Sequence, residues 1–111
     1  MTANRGGKIF LIDSNILVYA YNEDSPYHQK AAEIRDKAVL GEIPCCLTPQ
    51  NLYEFFSIIT DSRKINNPLP TEKAINELEK YYSSKISMIY PLETTPLKVM
   101  ELAYKYQIKR Q

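Results

Sequence analysis

Short apolar runs alternate along the chain with segments whose apolar residues recur at helical spacing. Residues 9–12 form a continuous apolar run, which is typical of a strand covered on both faces. Two further strands are predicted at residues 43–47 and 86–92. Helices are predicted over residues 16–21, 26–40, 49–60, 71–82 and 96–106. This alternation predicts an α/β domain with a parallel sheet.

The residues at the ends and on the faces of these helices refine the prediction. Ser14 or Asn15 is expected to cap the first helix, Ser25 and Pro26 to begin the second and Thr71 to cap the fourth. The third helix carries an apolar stripe of Leu52, Phe55, Phe56 and Ile59. The fourth is expected to turn Ala74, Leu78, Tyr81 and Tyr82 inward.

Composition and charge narrow the class of protein. The 111 residues, 44% of them hydrophobic and 24% charged, predict one globular domain over residues 1–111. With 14 basic and 13 acidic side chains, the chain has no overall basic character of the kind typical of duplex-binding proteins. The adjacent Cys45 and Cys46 suit neither a disulfide framework nor a zinc site. We expect a cytoplasmic protein that does not enter the membrane.

Two carboxylates are candidates for a functional site because of their positions in the predicted elements. Asp13 ends the first predicted strand, and ligands of parallel sheets bind beyond the carboxyl ends of the strands. An aspartate there also suits the simpler task of capping the helix that follows. Glu54 lies roughly 150° around its helix from the apolar stripe, so it faces either solvent or a cleft. Its angle on the helical wheel does not distinguish between solvent and a cleft.

Three segments together resemble a known family. "IDSNILVYAY", "LTPQNLYEFFSIITDSRKINNPLP" and "PLKVMELAYKYQI" look like PIN-domain proteins of the kind found as VapC-like toxins, and the likeness spans nearly the whole chain. It implies a three-layer α/β/α fold with a central parallel sheet in the strand order 3-2-1-4-5. It also implies that Asp13 and Glu54 are metal-site carboxylates and that Asn15 positions Asp13.

The function implied by the resemblance is an endoribonuclease that uses Mg²⁺ or Mn²⁺ to hydrolyse RNA phosphodiester bonds, as the toxin of a toxin–antitoxin pair. These hard cations take oxygen ligands, lower the pKa of a bound water and offset charge that develops on phosphate. The expected partners are RNA and an antitoxin protein. Arg63 and Lys64, at the end of the Glu54 helix, are candidates for contacts with RNA phosphates, or else form a solvated charge pair.

The chain departs from the family after its last predicted helix. Family members carry one or two further aspartates there, whereas no acidic residue follows Glu101. Asp61 and Glu93 are poorly placed to substitute. We therefore expect a PIN-like domain that is incomplete at its C-terminus, truncated after the fourth or fifth helix, with little RNA cleavage by the 111 residues alone. The alternative function is a catalytically incomplete fragment that acts only as a protein-binding module for an antitoxin.

A first prediction concerns assembly. Without the terminal strands, the strand at residues 9–12 would lie at or near an exposed sheet edge, which is a template for pairing with another chain. We expect a homodimer or a higher assembly, measured as the molar mass by light scattering. A strictly monomeric protein would contradict this expectation.

Overall fold

Helices and short strands alternate along the part of the chain that the structure describes. The computed structural model describes residues 9–90. Its elements are β1 (Phe10–Leu11), α1 (Ser14–Tyr21), α2 (His28–Val39), β2 (Cys45–Leu47), α3 (Pro49–Ile59), α4 (Thr71–Tyr82) and β3 (Ser87–Met88). The helix predicted at residues 96–106, the last part of the third strand and Glu93 lie outside the described residues.

The three strands form one parallel sheet in the order β1-β2-β3. Phe10 pairs with Cys45, and Cys46 with Ser87. Each pair of sequential strands is joined by two helices. A connection between parallel strands must bring the chain back to the end of the sheet at which the previous strand began. The predicted mixed α/β fold with a parallel sheet is therefore confirmed. Because β2 is central, β1 lies at one end of the described sheet.

The α2 helix begins later than predicted. Pro26 lies in a turn, in which the Ser25 hydroxyl accepts a hydrogen bond from the Tyr27 amide and the Ser25 carbonyl accepts one from the His28 amide. The turn thus uses the serine that was expected to start the helix. The predicted end is correct, because Gly41 follows the helix with a φ of 81°, a conformation that glycine adopts without strain.

The α4 helix also differs in detail from its prediction. Its N-cap is Pro70, so Thr71 is the first helical residue and not the cap. Ala74 and Tyr81 are buried as expected, whereas Tyr82 is exposed. None of the four helices in residues 9–90 combines the length and the apolar character that crossing a membrane requires.

The core is built around the apolar stripe of α3. Leu52, Phe55 and Ile59 are buried, and Phe56 packs against them while partly buried. The Phe55 ring meets the rings of Tyr21 and Tyr81 edge to face, with centroids 6.4 Å and 5.9 Å away. This packing holds α3 against α1 and α4 and so determines which face of α3 remains for other contacts.

The two cysteines lie in the central strand and are both buried without a disulfide. Successive strand residues point to opposite faces, so both faces of β2 are covered. Burial raises the pKa of the Cys45 thiol to about 11, and burial together with the neighbouring Cys45 raises that of Cys46 to about 11. Both thiols therefore remain protonated at neutral pH.

This burial predicts that the folded protein resists thiol reagents. At pH 8 a thiol with a pKa of about 11 is ionised to roughly one part in a thousand, and only the thiolate reacts. We expect Ellman's reagent to detect almost no thiol in the folded protein and two thiols in urea. Rapid modification of either cysteine without denaturant would contradict the buried central strand.

Candidate functional site

Asp13 lies just beyond β1 and begins the site. It is the N-cap of α1, and its Oδ1 accepts a hydrogen bond of 3.0 Å from the Asn15 amide. The helix therefore starts at Ser14, and the expectation that Ser14 or Asn15 caps it is wrong. The half-buried carboxylate also lines a cleft. Capping and facing a cleft are thus compatible, and Asp13 does both.

Glu54 approaches Asp13 from the opposite side of this cleft. It projects from α3 next to the buried Phe55 and is itself half-buried. Its Oε1 accepts a hydrogen bond of 2.8 Å from the Ser14 hydroxyl, and its Oε2 accepts one of 3.3 Å from the Gln50 amide. The face of α3 that the helical wheel left open is therefore turned toward the start of α1.

Ser14 joins the two carboxylates. Its hydroxyl has one hydrogen, which it donates to Glu54, and the same oxygen lies 3.4 Å from Asp13 Oδ1. These two distances limit the separation of the Asp13 and Glu54 oxygens to about 6.2 Å. Only 7% of the Ser14 surface is exposed, and Ser14 is the one buried polar residue among residues 9–90.

The role of Ser14 is not evident from the sequence, which predicts this residue only as a helix cap. Because Asp13 is the cap, Ser14 falls in the first turn of α1 and faces α3. A buried hydroxyl requires a hydrogen-bond partner, and the nearest acceptor here is a carboxylate forty residues away. Its position directly after Asp13 is a weak signal, because serine is also common at helix starts.

The cleft between α1 and α3 has a volume of about 410 Å³. Its lining comprises Asp13, Ser14, Asn15, Tyr53, Glu54, Ser57, Ile58 and Lys64. The predicted supporting residue Asn15 therefore lies at the site. The hydrogen bond that it gives to Asp13 comes from its main-chain amide, which any residue other than proline supplies at this position.

The two candidate phosphate-binding residues, Arg63 and Lys64, have different surroundings. Lys64 lines the cleft, whereas Arg63 does not. The Arg63 guanidinium binds the Asp61 carboxylate through two contacts of 3.1 Å, and the side chain is 86% exposed. The hydrogen bonds from Arg63 hold the pKa of Asp61 below its usual value. Arg63 is thus paired with Asp61 and not with Lys64 as a solvated charge pair, and Asp61 does not line the cleft.

The donor set of the cleft determines which ions it suits. Within residues 9–90, no three His, Cys, Asp or Glu side chains come together as metal ligands do. Two carboxylates and one hydroxyl do converge, and all three offer oxygen, which Mg²⁺ and Mn²⁺ prefer. A hard cation that keeps most of its waters would suit this set of oxygen ligands.

The Ser14 hydroxyl should also contribute to stability. Replacing Ser14 with Ala removes the 2.8 Å hydrogen bond to Glu54 Oε1 and leaves two carboxylates facing each other. We expect the free energy of unfolding, measured in urea, to fall by about 1 to 2 kcal/mol. The control is Ser83→Ala at the exposed C-cap of α4, with a change near zero. Equal values for the two variants would show that the contact contributes nothing.

No protein-family model matches this sequence, and no curated protein matches it significantly.

Proposed function

We propose that this chain is a PIN-like domain and a metal-dependent endoribonuclease, using Mg²⁺ or Mn²⁺ to hydrolyse RNA as the toxin of a toxin–antitoxin pair. One observation carries the proposal. Asp13 and Glu54, forty-one positions apart in the sequence, lie on one cleft beyond β1 and contact the same Ser14 hydroxyl. The order β1-β2-β3 also agrees with the order that the resemblance implies for the first three strands.

The chemistry of the cleft supports a dication at its carboxylates. Asp13 and Glu54 would hold it, with the Ser14 hydroxyl close to both. A bound Mg²⁺ or Mn²⁺ supplies an acidic water ligand and offsets the charge that develops on phosphate. Two like charges this close repel each other, and a cation between them removes that repulsion.

Hydrogen bonds within the protein orient the two carboxylates of the site. The Asn15 amide at the start of α1 holds one Asp13 oxygen, and Ser14 and Gln50 each donate to one Glu54 oxygen. Both carboxylates are therefore oriented before any ligand arrives, which lowers the cost of organising the site. Lys64 places a positive charge at the same cleft, where it is available to an RNA phosphate.

A second candidate function is a protein-binding module that holds an antitoxin segment without cleaving RNA. The observation that favours it is the number of acids, since residues 9–90 bring only two carboxylates to the cleft. Two carboxylates hold a dication weakly, because Mg²⁺ gives up its waters reluctantly. The cleft would then recognise a basic partner through charge alone.

The test is cleavage of a fluorescently labelled, unstructured RNA in Mg²⁺, in Mn²⁺ and in EDTA. It is run at high protein concentration with long incubation, because we expect a site with only two carboxylates to cleave slowly. Cleavage that depends on metal and is lost on Asp13→Asn supports the nuclease. If the protein does not cleave the RNA at any metal concentration, the nuclease proposal is wrong and the binding module is favoured.

A further inference from the structure

Tyr53 is a large aromatic side chain at the candidate nuclease site. It precedes Glu54 on α3, lines the same cleft and is 66% exposed. None of the ring pairs found within residues 9–90 includes Tyr53. Both faces of this ring are therefore without an aromatic partner from the described part of the chain.

Other exposed tyrosines differ from Tyr53 in their surroundings. Tyr27 packs against Tyr19 with ring centroids 5.1 Å apart, so it already has an aromatic partner. Tyr82 and Tyr90 are exposed but do not line the cleft. Exposed aromatic residues are ordinary on a protein surface, so the position beside two carboxylates is what distinguishes Tyr53.

The charge of the cleft makes an aromatic contact important for a nucleic acid. Asp13 and Glu54 repel the phosphates of RNA, and among residues 9–90 Lys64 is the only cation that lines the cleft. Stacking of a base on an aromatic ring does not depend on charge, so it adds affinity where phosphate contacts are few. A base within a duplex already has neighbours on both faces, whereas an unpaired base has a face to offer.

We propose that Tyr53 is the side chain on which an unpaired RNA base stacks while the adjoining phosphate faces Asp13, Glu54 and Lys64. This inference rests on the proposed ribonuclease function and adds a residue that selects the substrate. The contact favours single-stranded RNA over duplex RNA. It also predicts that the aromatic ring matters and that the Tyr53 hydroxyl does not.

The test measures binding and is independent of cleavage. A short single-stranded RNA that contains 2-aminopurine is titrated with the protein in Ca²⁺, which takes the same oxygen ligands as Mg²⁺. Anisotropy of an end label gives the Kd, and quenching of 2-aminopurine reports stacking. We expect Tyr53→Ala to raise the Kd by about 5- to 150-fold and to abolish the quenching. Tyr53→Phe should retain both, and the exposed Tyr82→Ala is the matched control.

The outcomes separate this inference from the function on which it rests. If the wild-type protein binds no RNA, both the ribonuclease proposal and the role of Tyr53 are overturned. If the wild type binds and Tyr53→Ala binds equally well, only the role of Tyr53 is wrong. Loss of binding in Tyr53→Phe would overturn stacking in favour of a contact to the Tyr53 hydroxyl. Equal affinity for a duplex of the same sequence would overturn the preference for an unpaired base.

Discussion

Replacing either Asp13 with Asn or Glu54 with Gln should slow metal-dependent RNA cleavage by about 100-fold or more. Each change removes one of the two negative charges that converge on the Ser14 hydroxyl. The remaining single carboxylate would hold a dication more weakly still, and the charge that develops on phosphate would lose its compensation. The rate is measured at saturating Mn²⁺ on a labelled unstructured RNA.

These two substitutions are chosen to change charge and little else. Asparagine caps helices about as well as aspartate, so Asp13→Asn keeps the bond to the Asn15 amide. Glutamine keeps a carbonyl oxygen that accepts from Ser14. Glu79→Gln, at an exposed position of α4, makes the same chemical change away from the cleft and should cleave at the wild-type rate.

The nuclease proposal predicts slow cleavage by Asp13→Asn and Glu54→Gln and the wild-type rate for Glu79→Gln. Equal rates for the wild type, Asp13→Asn and Glu54→Gln would show that the cleft is not where RNA is cut. Loss of activity in Glu79→Gln as well would point to a general effect of charge. If Asp13→Asn alone is inactive, the ligand set excludes Glu54, and Glu93 becomes the next acid to replace.

The second large effect concerns stability and centres on Phe55. This side chain has no exposed surface and meets the rings of Tyr21 and Tyr81. Phe55→Ala removes these ring contacts and leaves a cavity in the middle of the core. We expect the free energy of unfolding in urea to fall by about 3 to 5 kcal/mol. That loss approaches the whole stability of a small domain, so the variant is expected to be partly unfolded.

The control for this prediction is an aromatic residue two positions away on the same helix. Tyr53 is largely exposed, so Tyr53→Ala should change the free energy of unfolding by no more than about 0.5 kcal/mol. The pair therefore compares removal of an aromatic ring from the two faces of α3. Similar losses for both variants would mean that α3 does not pack through Phe55 as the structure shows.

Local pattern and chemistry predicted much of the fold. The apolar stripe of α3 marked Leu52, Phe55 and Ile59 as core, because a helix repeats every 3.6 residues and can turn only one face inward. The strand-ending position of Asp13 followed in the same way from a short apolar run. Element boundaries were less certain, as at Ser25, because a turn and a helix start use the same residue types.

The surroundings of Glu54 could not be read from its helix alone. Helical spacing shows that Glu54 points away from the core, and the same angle describes a solvated residue and a residue in a cleft. The contact with Ser14 depends on how α1 crosses α3, which is set by packing between residues distant in sequence. The different positions of Arg63 and Lys64 likewise depend on Asp61. The Asp61 carboxylate binds the amide and the guanidinium of Arg63, whereas the next residue, Lys64, lines the cleft.

The sequence by itself determined the order of strands and helices over residues 9–90 and most of the core, since these follow from local periodicity and from turn and capping chemistry. It also placed Asp13 at the end of a strand. Only the tertiary structure decided that Glu54 meets Asp13 across Ser14 and that Tyr53 and Lys64 share their cleft. The physical reason is that a site is a set of distances between side chains on different elements, and those distances exist only after the core has packed.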